Sequence, residues 1–268
     1  MTKRIISSGR QVAPSRRQAL RAALASVGAL SLAGCDGGMK GMASSVKGNV
    51  ERLNHVVHTA LTGRASMAQE FTQADVAAHF KANGTLVPAD ADYQALLRGQ
   101  FADWKLQVDG LVEKPAAFTL AELRAMPSRT QITRHDCVEG WSTIGKWKGV
   151  QLSHVLGLVK PLPSAKYVVF RCADSMDSLS TPTNDTRYYE SVDLDDAYHV
   201  QTVLAYELND QPLPVTNGAP LRVRIERQLG YKHAKYVMKI ELVESYASIR
   251  DGHGGYWEDN GYEWYAGI

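Results

Sequence analysis

The sequence predicts a mixed α+β domain behind an N-terminal export signal. From Trp104 onward, stretches that alternate apolar and polar residues and stretches with helical spacing follow one another irregularly, the pattern of an α+β domain rather than of a repeating βα unit. No internal repeat or low-complexity core interrupts them. The chain has 268 residues and three cysteines. That length suits one large domain or two small ones, and so few thiols exclude a disulfide scaffold.

Residues 1–34 read as a targeting segment and are set aside from fold reasoning. A basic start (Lys3, Arg4, Arg10) leads to Ser15-Arg16-Arg17-Gln18-Ala19-Leu20, a twin-arginine pattern. The apolar run Ala22 to Ala33 is short of the roughly 20 apolar residues a spanning helix needs. It ends in Leu32-Ala33-Gly34-Cys35, which looks like a bacterial lipoprotein processing box and implies cleavage before Cys35 and lipid on its thiol. The twin-arginine route carries folded cargo, as a cofactor inserted before export requires. Six of the 30 basic residues and none of the 28 acids precede Cys35. The rest of the chain therefore carries a net charge of about −4, and no nucleic-acid footprint is expected.

Gly37 to Gly48 is Gly/Ser-rich and reads as a flexible tether over residues 35–48. Residues 49–103 read as a helical N-terminal segment: Asn49 to Thr62 (with His55 and His58 on a solvated face), Phe71 to Asn83, stopped by Gly84, and Asp92 to Arg98. The domain itself is expected over 104–268. Trp104 to Gly110 alternates as a half-buried strand. Thr119-Leu120-Ala121-Glu122 is a capping box that starts a helix, and Pro127 ends it. Thr130 to Asp136 is a strand, Val150 to Val159 helical, Tyr167 to Cys172 an apolar strand. Thr202 to Leu208 and Leu213 to Val215 form a hairpin around Asn209-Asp210-Gln211-Pro212. Leu221 to Glu226 alternates apolar and charged, Tyr236 to Val243 is a strand, and the tail from Gly254 is dense in aromatics and glycine.

The chemistry gathers around Cys137. If the strand reaches it, His135 and Cys137 share one face, with Arg134 and Asp136 on the other. A thiol at a strand end beside cationic groups is where a lowered thiol pKa is expected. Three readings stay open on the residues alone: a structural cysteine, a nucleophile with His135 or His154 as base, or a metal ligand. No CxxC or HExxH is present, so a metal would need most of its ligands from something other than protein. A Cys137–Cys172 disulfide would exclude that reading. Arg222, Arg224, Arg227, Lys232 and Lys235, with glycine turns at Asn217-Gly218 and Gly230, suit a phosphate, or are a solvated charged face.

Cys137-Val138-Glu139-Gly140-Trp141-Ser142 and Trp147-Lys148-Gly149-Val150 resemble the cysteine segment of the sulfite oxidase family. Leu204-Ala205-Tyr206-Glu207-Leu208-Asn209, Asn217-Gly218-Ala219-Pro220-Leu221-Arg222 and Gly230-Tyr231-Lys232-His233-Ala234-Lys235 resemble its pterin-binding segment. The resemblance covers roughly Trp104 to Val243. It implies the sulfite-oxidase-type molybdopterin-binding fold and molybdenum held by a pterin dithiolene and by Cys137. Asn217, Arg222, His233 and Lys235, and more weakly Cys172, would line the cofactor. It also implies oxygen-atom transfer with a small-molecule oxygen-atom donor or acceptor, and a redox partner such as a membrane haem protein or a periplasmic cytochrome.

Two departures bear on the substrate. Many members have histidine where this chain has Asn217; the reductase branch, typified by the periplasmic methionine sulfoxide reductase catalytic subunit, carries asparagine there. Ser142 stands where the sulfite-oxidising branch has an arginine that holds the anion. A reductase of sulfoxide-type substrates is therefore expected, ahead of a sulfite-type dehydrogenase, a cofactor-free binding lipoprotein or a thiol hydrolase. The chain stops too soon after Val243 for the C-terminal immunoglobulin-like dimer domain of the animal-type enzymes, so none is expected, and no CxxCH marks a covalent haem.

Overall fold

The computed structural model describes residues 50, 53, 54, 56, 57, 63, 65–176 and 186–268. The export segment, the tether, Cys35, His55 and His58 lie outside the described residues. Among the described residues, no helix is long and apolar enough to cross a membrane.

Two five-stranded sheets carry the fold. The first has the order β2–β1–β10–β5–β6, built from β1 (Lys105–Gly110), β2 (Ala116–Thr119), β5 (Tyr167–Ser175), β6 (Arg187–Asp193) and β10 (Val237–Val243). Only the β1–β10 pair in it is parallel. The second runs β3–β4–β7–β8, with β9 also paired to β7: β3 (Ser128–Cys137), β4 (Trp141–Gln151), β7 (Val203–Leu208), β8 (Gln211–Pro212) and β9 (Arg222–Arg224). One buried cluster joins the sheets: Leu106, Phe170, Ile240 and Leu242 from the first, Val150, Leu204 and Val223 from the second. α3 (Leu152–Val159) presents Leu152, Val155, Leu156 and Val159 to that cluster at helical spacing.

Several expected elements are found within a residue or two. α1 (Ala91–Arg98) starts at Asp90, whose side chain accepts from the Tyr93 N–H. α2 (Leu120–Ala125) starts in the Thr119/Glu122 capping box, and its last residue precedes Met126-Pro127. The strands expected near Thr130, Tyr167 and Tyr236 are β3, β5 and β10. The hairpin around Asn209 is β7–β8, shorter on its second arm than expected, because Val215–Asn217 turns as a 3-10 helix. β6 and the short helices α4 (Leu194–Ala197) and α5 (Tyr256–Asp259) were not anticipated.

Two expectations fail. The helix expected over Phe71 to Asn83 is instead an irregular strap with one 3-10 turn at Gln73–Asp75. Its backbone pairs with the sheet: the Phe71 N–H donates to Ile132 O at 2.8 Å and the Ala77 N–H to Ile144 O at 3.0 Å. Those bonds compete with i→i+4 pairing, and they set Phe80 edge-on against Trp147 at 4.9 Å, in a second cluster with Val203, Ala205 and Leu208. Helix was also expected from Val150, but the helix starts at Leu152. Val150 and Gln151 are still in the sheet, opposite Leu204 and Val203.

The residues from Glu51 to Ile268 form one compact unit. β4 sits at its centre, between β3 and β7, and Gly149 is where β7 comes closest: a Cβ there would lie 2.1 Å from Leu204 O. Gly149→Ala is expected to push the strands apart and to cost about 1–3 kcal/mol or more in urea-induced unfolding. An unchanged midpoint would refute this tight pairing.

Candidate active site

β3 and β4 form the long hairpin that presents Cys137. Their pairing runs from Ser128↔Val150 to Cys137↔Trp141, and Val138-Glu139-Gly140 makes the turn. Alternation sends Gln131, Thr133 and His135 inward and leaves Arg134 exposed. Cys137 ends the strand half-buried, as a free thiol. Burial pushes that thiol up, against backbone N–H groups of Glu139 and Val138 that pull it down. The expected lowered pKa is thus not found: burial outweighs the nearby positive charge, and the neighbouring Glu139 carboxylate adds to the rise.

Behind Cys137 lies an interior that is polar and cationic. Arg222 and Arg224 have no solvent exposure, which overturns the solvated-face reading of β9. Arg224 pairs with the equally buried Glu226 through two bonds, of 3.0 and 2.6 Å, and Gln131 holds the same carboxylate at 2.8 Å. The guanidinium carbons of Arg222 and Arg224 sit 5.1 and 4.5 Å from the Trp147 ring centre. Arg222 donates to Asn217 O at 3.0 Å and His233 O at 3.3 Å. Burial and the Arg224 charge pull its pKa down to about 9, so it is still a cation at neutral pH. Lys235 donates to the carbonyls of Asn83, Thr85 and Thr216 at 2.6–2.8 Å. Among the described residues, neither Arg222 nor Lys235 forms an ion pair.

Two imidazoles complete this interior. Arg224 donates to His135 Nδ1 at 2.9 Å, so the His135 proton sits on Nε2. His233 Nε2 faces the carbonyls of Ile225 and Gln228 at 2.8 and 3.0 Å, which fixes its proton there and leaves Nδ1 as an acceptor. Burial, with the Arg224 charge next, pushes both rings well below the usual histidine pKa, so both are neutral. The 3-10 turn Gly230–Lys232 packs against His135, where a Cβ on Gly230 would lie 2.6 Å from Cε1. Only glycine allows that approach.

A cleft of about 710 Å³, partly open to solvent, brings together Cys137, His233 and Lys235. Asn217 and Arg222 lie behind it, packed through Gly218 against Lys235. Cys172 is not on its lining; the side chain belongs to the apolar core, and burial pushes its thiol well up. His154 lies on α3, and among the described residues no imidazole hydrogen-bonds the Cys137 thiol. Four lining residues escaped sequence reasoning: Asn83, Thr85, Asp174 and Tyr188. Only Asn83-Gly84, a turn dipeptide, carried any local signal.

The interior is built for an anionic, hydrogen-bonding guest. Asn217 Nδ2, Arg222 Nε, His233 Nδ1 and Asp174 Oδ1 are buried side-chain atoms without partners. Such atoms are costly unless something meets them. A buried Arg222 cation beside a Lys235 amine that burial and the Arg222 charge pull down to about 7 calls for an anion, and mixed donors and acceptors call for a heterocycle. The pterin phosphate that the sequence implied fits this set.

The family described as "oxidoreductase molybdopterin binding domain" matches residues 94–249. The chain belongs to this family. A protein of Azospira oryzae, provisionally named protein-methionine-sulfoxide reductase subunit YedZ1, is 44% identical over 62% of this chain and 56% of its own length. The protein-methionine-sulfoxide reductase catalytic subunit MsrP of Ralstonia nicotianae is 37% identical over 60% of this chain and 49% of its own. This chain thus matches about half the length of these curated relatives. The solved sulfane dehydrogenase SoxCD of Paracoccus pantotrophus aligns at 22% identity with a TM-score of 0.47, over 53% of this chain and 39% of that one. Membership makes this an oxidoreductase domain of the molybdopterin-binding fold, as the resemblance implied.

The neutral histidines have a stability consequence. Below the usual histidine pKa of 6.5 the unfolded chain takes up protons that the folded protein refuses, so stability falls as pH drops. Each such group contributes about 1.4 kcal/mol per pH unit between 6.5 and its folded pKa. Asp174, whose pKa burial raises, works in the opposite sense below about pH 6. His233→Asn is expected to lower the pH slope of the unfolding free energy by about 1.4 kcal/mol per unit between about pH 6.5 and 5.5. An unchanged slope would show that the ring is charged in the folded state.

Proposed function

We propose that this chain is the catalytic domain of a molybdopterin-dependent oxidoreductase that removes oxygen from sulfoxide-type substrates. The observation that carries the reading is the half-buried Cys137, set on a cleft whose inner wall is a buried set of basic side chains and orphaned donors. The relatives' names supply the sulfoxide.

In this reading Cys137 would give its thiolate to the metal, and the Glu139 and Val138 N–H groups that hydrogen-bond its sulfur would tune it. Arg222, Lys235 and Asn217 would hold the cofactor's phosphate, and His233 Nδ1 would be free to accept a hydrogen bond from it. When bound, the cofactor supplies a metal that exchanges an oxygen atom and two electrons with the substrate. Reducing a sulfoxide to a sulfide consumes two electrons and two protons and releases water. Asp174 can hold a proton on its unpartnered Oδ1, because burial raises its pKa to about 6. Ser142, bonded to Asp136 at 2.5 Å, offers no cation to a sulfite-like anion. That favours the reductase over a sulfite-type dehydrogenase.

Export and electron supply belong to the same reading. The signal over residues 1–34, with lipid on Cys35, would direct the domain to the periplasm on a lipid anchor. The relatives' names as subunits support a redox partner, which in this reading is a membrane haem protein or a periplasmic cytochrome. Cys35→Ala is expected to release the protein from the membrane fraction; continued membrane association would contradict the anchor.

The deciding experiment is expression of the full chain in a host that makes molybdopterin, with metal and pterin content and dye-linked sulfoxide reduction as readouts. Cys137→Ser is expected to keep the pterin and lose more than about a hundredfold in turnover. Arg222→Met is expected to lose the pterin itself. Wild-type protein free of molybdenum and pterin, or a fully active Cys137→Ser variant, would sink the proposal.

A further inference from the structure

The cleft has two chemically different sides. Its inner side is polar and buried: Asp174, His233 and Lys235 are 3–5% exposed. Its outer side includes Val138, 44% exposed, the part-buried Trp257, and Tyr262, 38% exposed. Trp257 and Tyr262 stack on each other, with centroids 5.2 Å apart and planes at 27°. Both come from the C-terminal tail, beyond residues 94–249 where the family matches. The aromatic part of this outer wall is therefore contributed by a segment outside the family domain.

The tail is fastened rather than draped. Glu258, between the two aromatics, is buried in an ion pair with Lys232 at 2.6 Å, and Lys232 also holds the buried Glu190. Tyr231 donates to Glu263 O at 2.6 Å, and Trp264 Nε1 to Ser191 Oγ at 2.9 Å. The far end is tied by Leu229 N–H to Ala266 O and Ile268 N–H to Arg227 O. A buried ion pair and four further bonds hold two aromatic faces in place at a cleft that opens beside Cys137. A wall fixed before the substrate arrives loses little entropy on binding.

We propose that Trp257 and Tyr262 are the specificity-determining residues of the cleft. They take the apolar substituent of a sulfoxide against their ring faces while its S–O group points to the polar inner side. The chemistry selects sulfoxides with an aryl or longer alkyl arm over dimethyl sulfoxide, because apolar arms gain on aromatic faces and a methyl group covers little of them. The proposal rests on the sulfoxide-reductase reading above. The same arm occurs on free sulfoxides and on oxidised methionine within a polypeptide, so both sources enter the test.

The test compares kcat/KM for phenyl methyl sulfoxide, an N-acetyl-methionine sulfoxide amide and an oxidised methionine peptide with that for dimethyl sulfoxide, in the cofactor-loaded enzyme. Trp257→Ala and Tyr262→Ala are each expected to lower the ratio of arm-bearing to dimethyl substrate about five- to tenfold, mainly through KM. Trp257→Phe, which keeps a ring, is expected to restore most of it. A fall for the peptide alone would place the arm's recognition in the polypeptide source, and a fall for all three in the shared apolar arm; both agree with the proposal. Equal losses on every substrate, or no loss, would overturn it. Calorimetric binding of thioanisole to cofactor-free protein separates the two readings. Binding weakened by Tyr262→Ala in a protein that reduces no sulfoxide would keep the wall and reject the reductase. Active enzyme with unaltered ratios would do the reverse.

Discussion

Arg224 gives two hydrogen bonds to the Glu226 carboxylate in a part of the protein that water does not reach. Two charges in such a place are stable only if their geometry is good and their remaining hydrogen-bonding capacity is met. Much of the interior answers that demand. Gln131 caps the carboxylate, His135 accepts the remaining guanidinium edge, and Trp147 offers its face. Because His135 must accept, its proton sits away from Arg224, and with His233 5.2 Å away the two rings stay neutral. After burial, the Arg224 charge is thus the next cause that keeps both imidazoles neutral.

Arg222, two residues earlier on the same strand, has the same burial and no carboxylate partner among the described residues. Carbonyl oxygens of Asn217 and His233 partly solvate it, and the indole of Trp147 covers it. Its charge is not neutralised by these contacts. Lys235 repeats the arrangement with three carbonyls. One strand and the turn after it therefore hold an ion-paired Arg224, an Arg222 without an ion pair among the described residues, and a Lys235 that burial and the Arg222 charge pull down to about 7 while Asp174 raises it; the last two lie at or behind the cleft that Cys137 opens. Fold and site are hard to separate here, because Trp147 also packs against Phe80 from the N-terminal strap and against Val203, Ala205 and Leu208 of β7.

The strap and the tail show how segments outside the family domain finish the cleft. Asn83 and Thr85 give carbonyls to Lys235 from one side. Trp257 and Tyr262 bring aromatic faces from the other. Neither contribution follows a local rule. The Phe71–Asn83 stretch has helical spacing, yet its backbone bonds go to β3 and β4, since covering Trp147 with Phe80 outweighs a helix with no partner for its apolar face.

What the sequence determined by itself are the features written in local chemistry. The Thr119/Glu122 capping box, the alternation of β1 and β3, the turn at Asn209-Asp210 and the ordered blocks around Cys137, Asn217, Arg222, His233 and Lys235 were legible, because each depends on neighbours a few residues away or on spacing along one strand. The tertiary structure alone decided burial and charge. It turned Arg222 and Arg224 inward where alternation could equally have faced them to water. It raised the Cys137 pKa where nearby cations suggested a fall, and it placed Cys172 in the apolar core rather than on the cleft. Desolvation depends on everything packed around an atom, and that packing joins distant segments, as between Lys235 and Asn83, 152 positions apart.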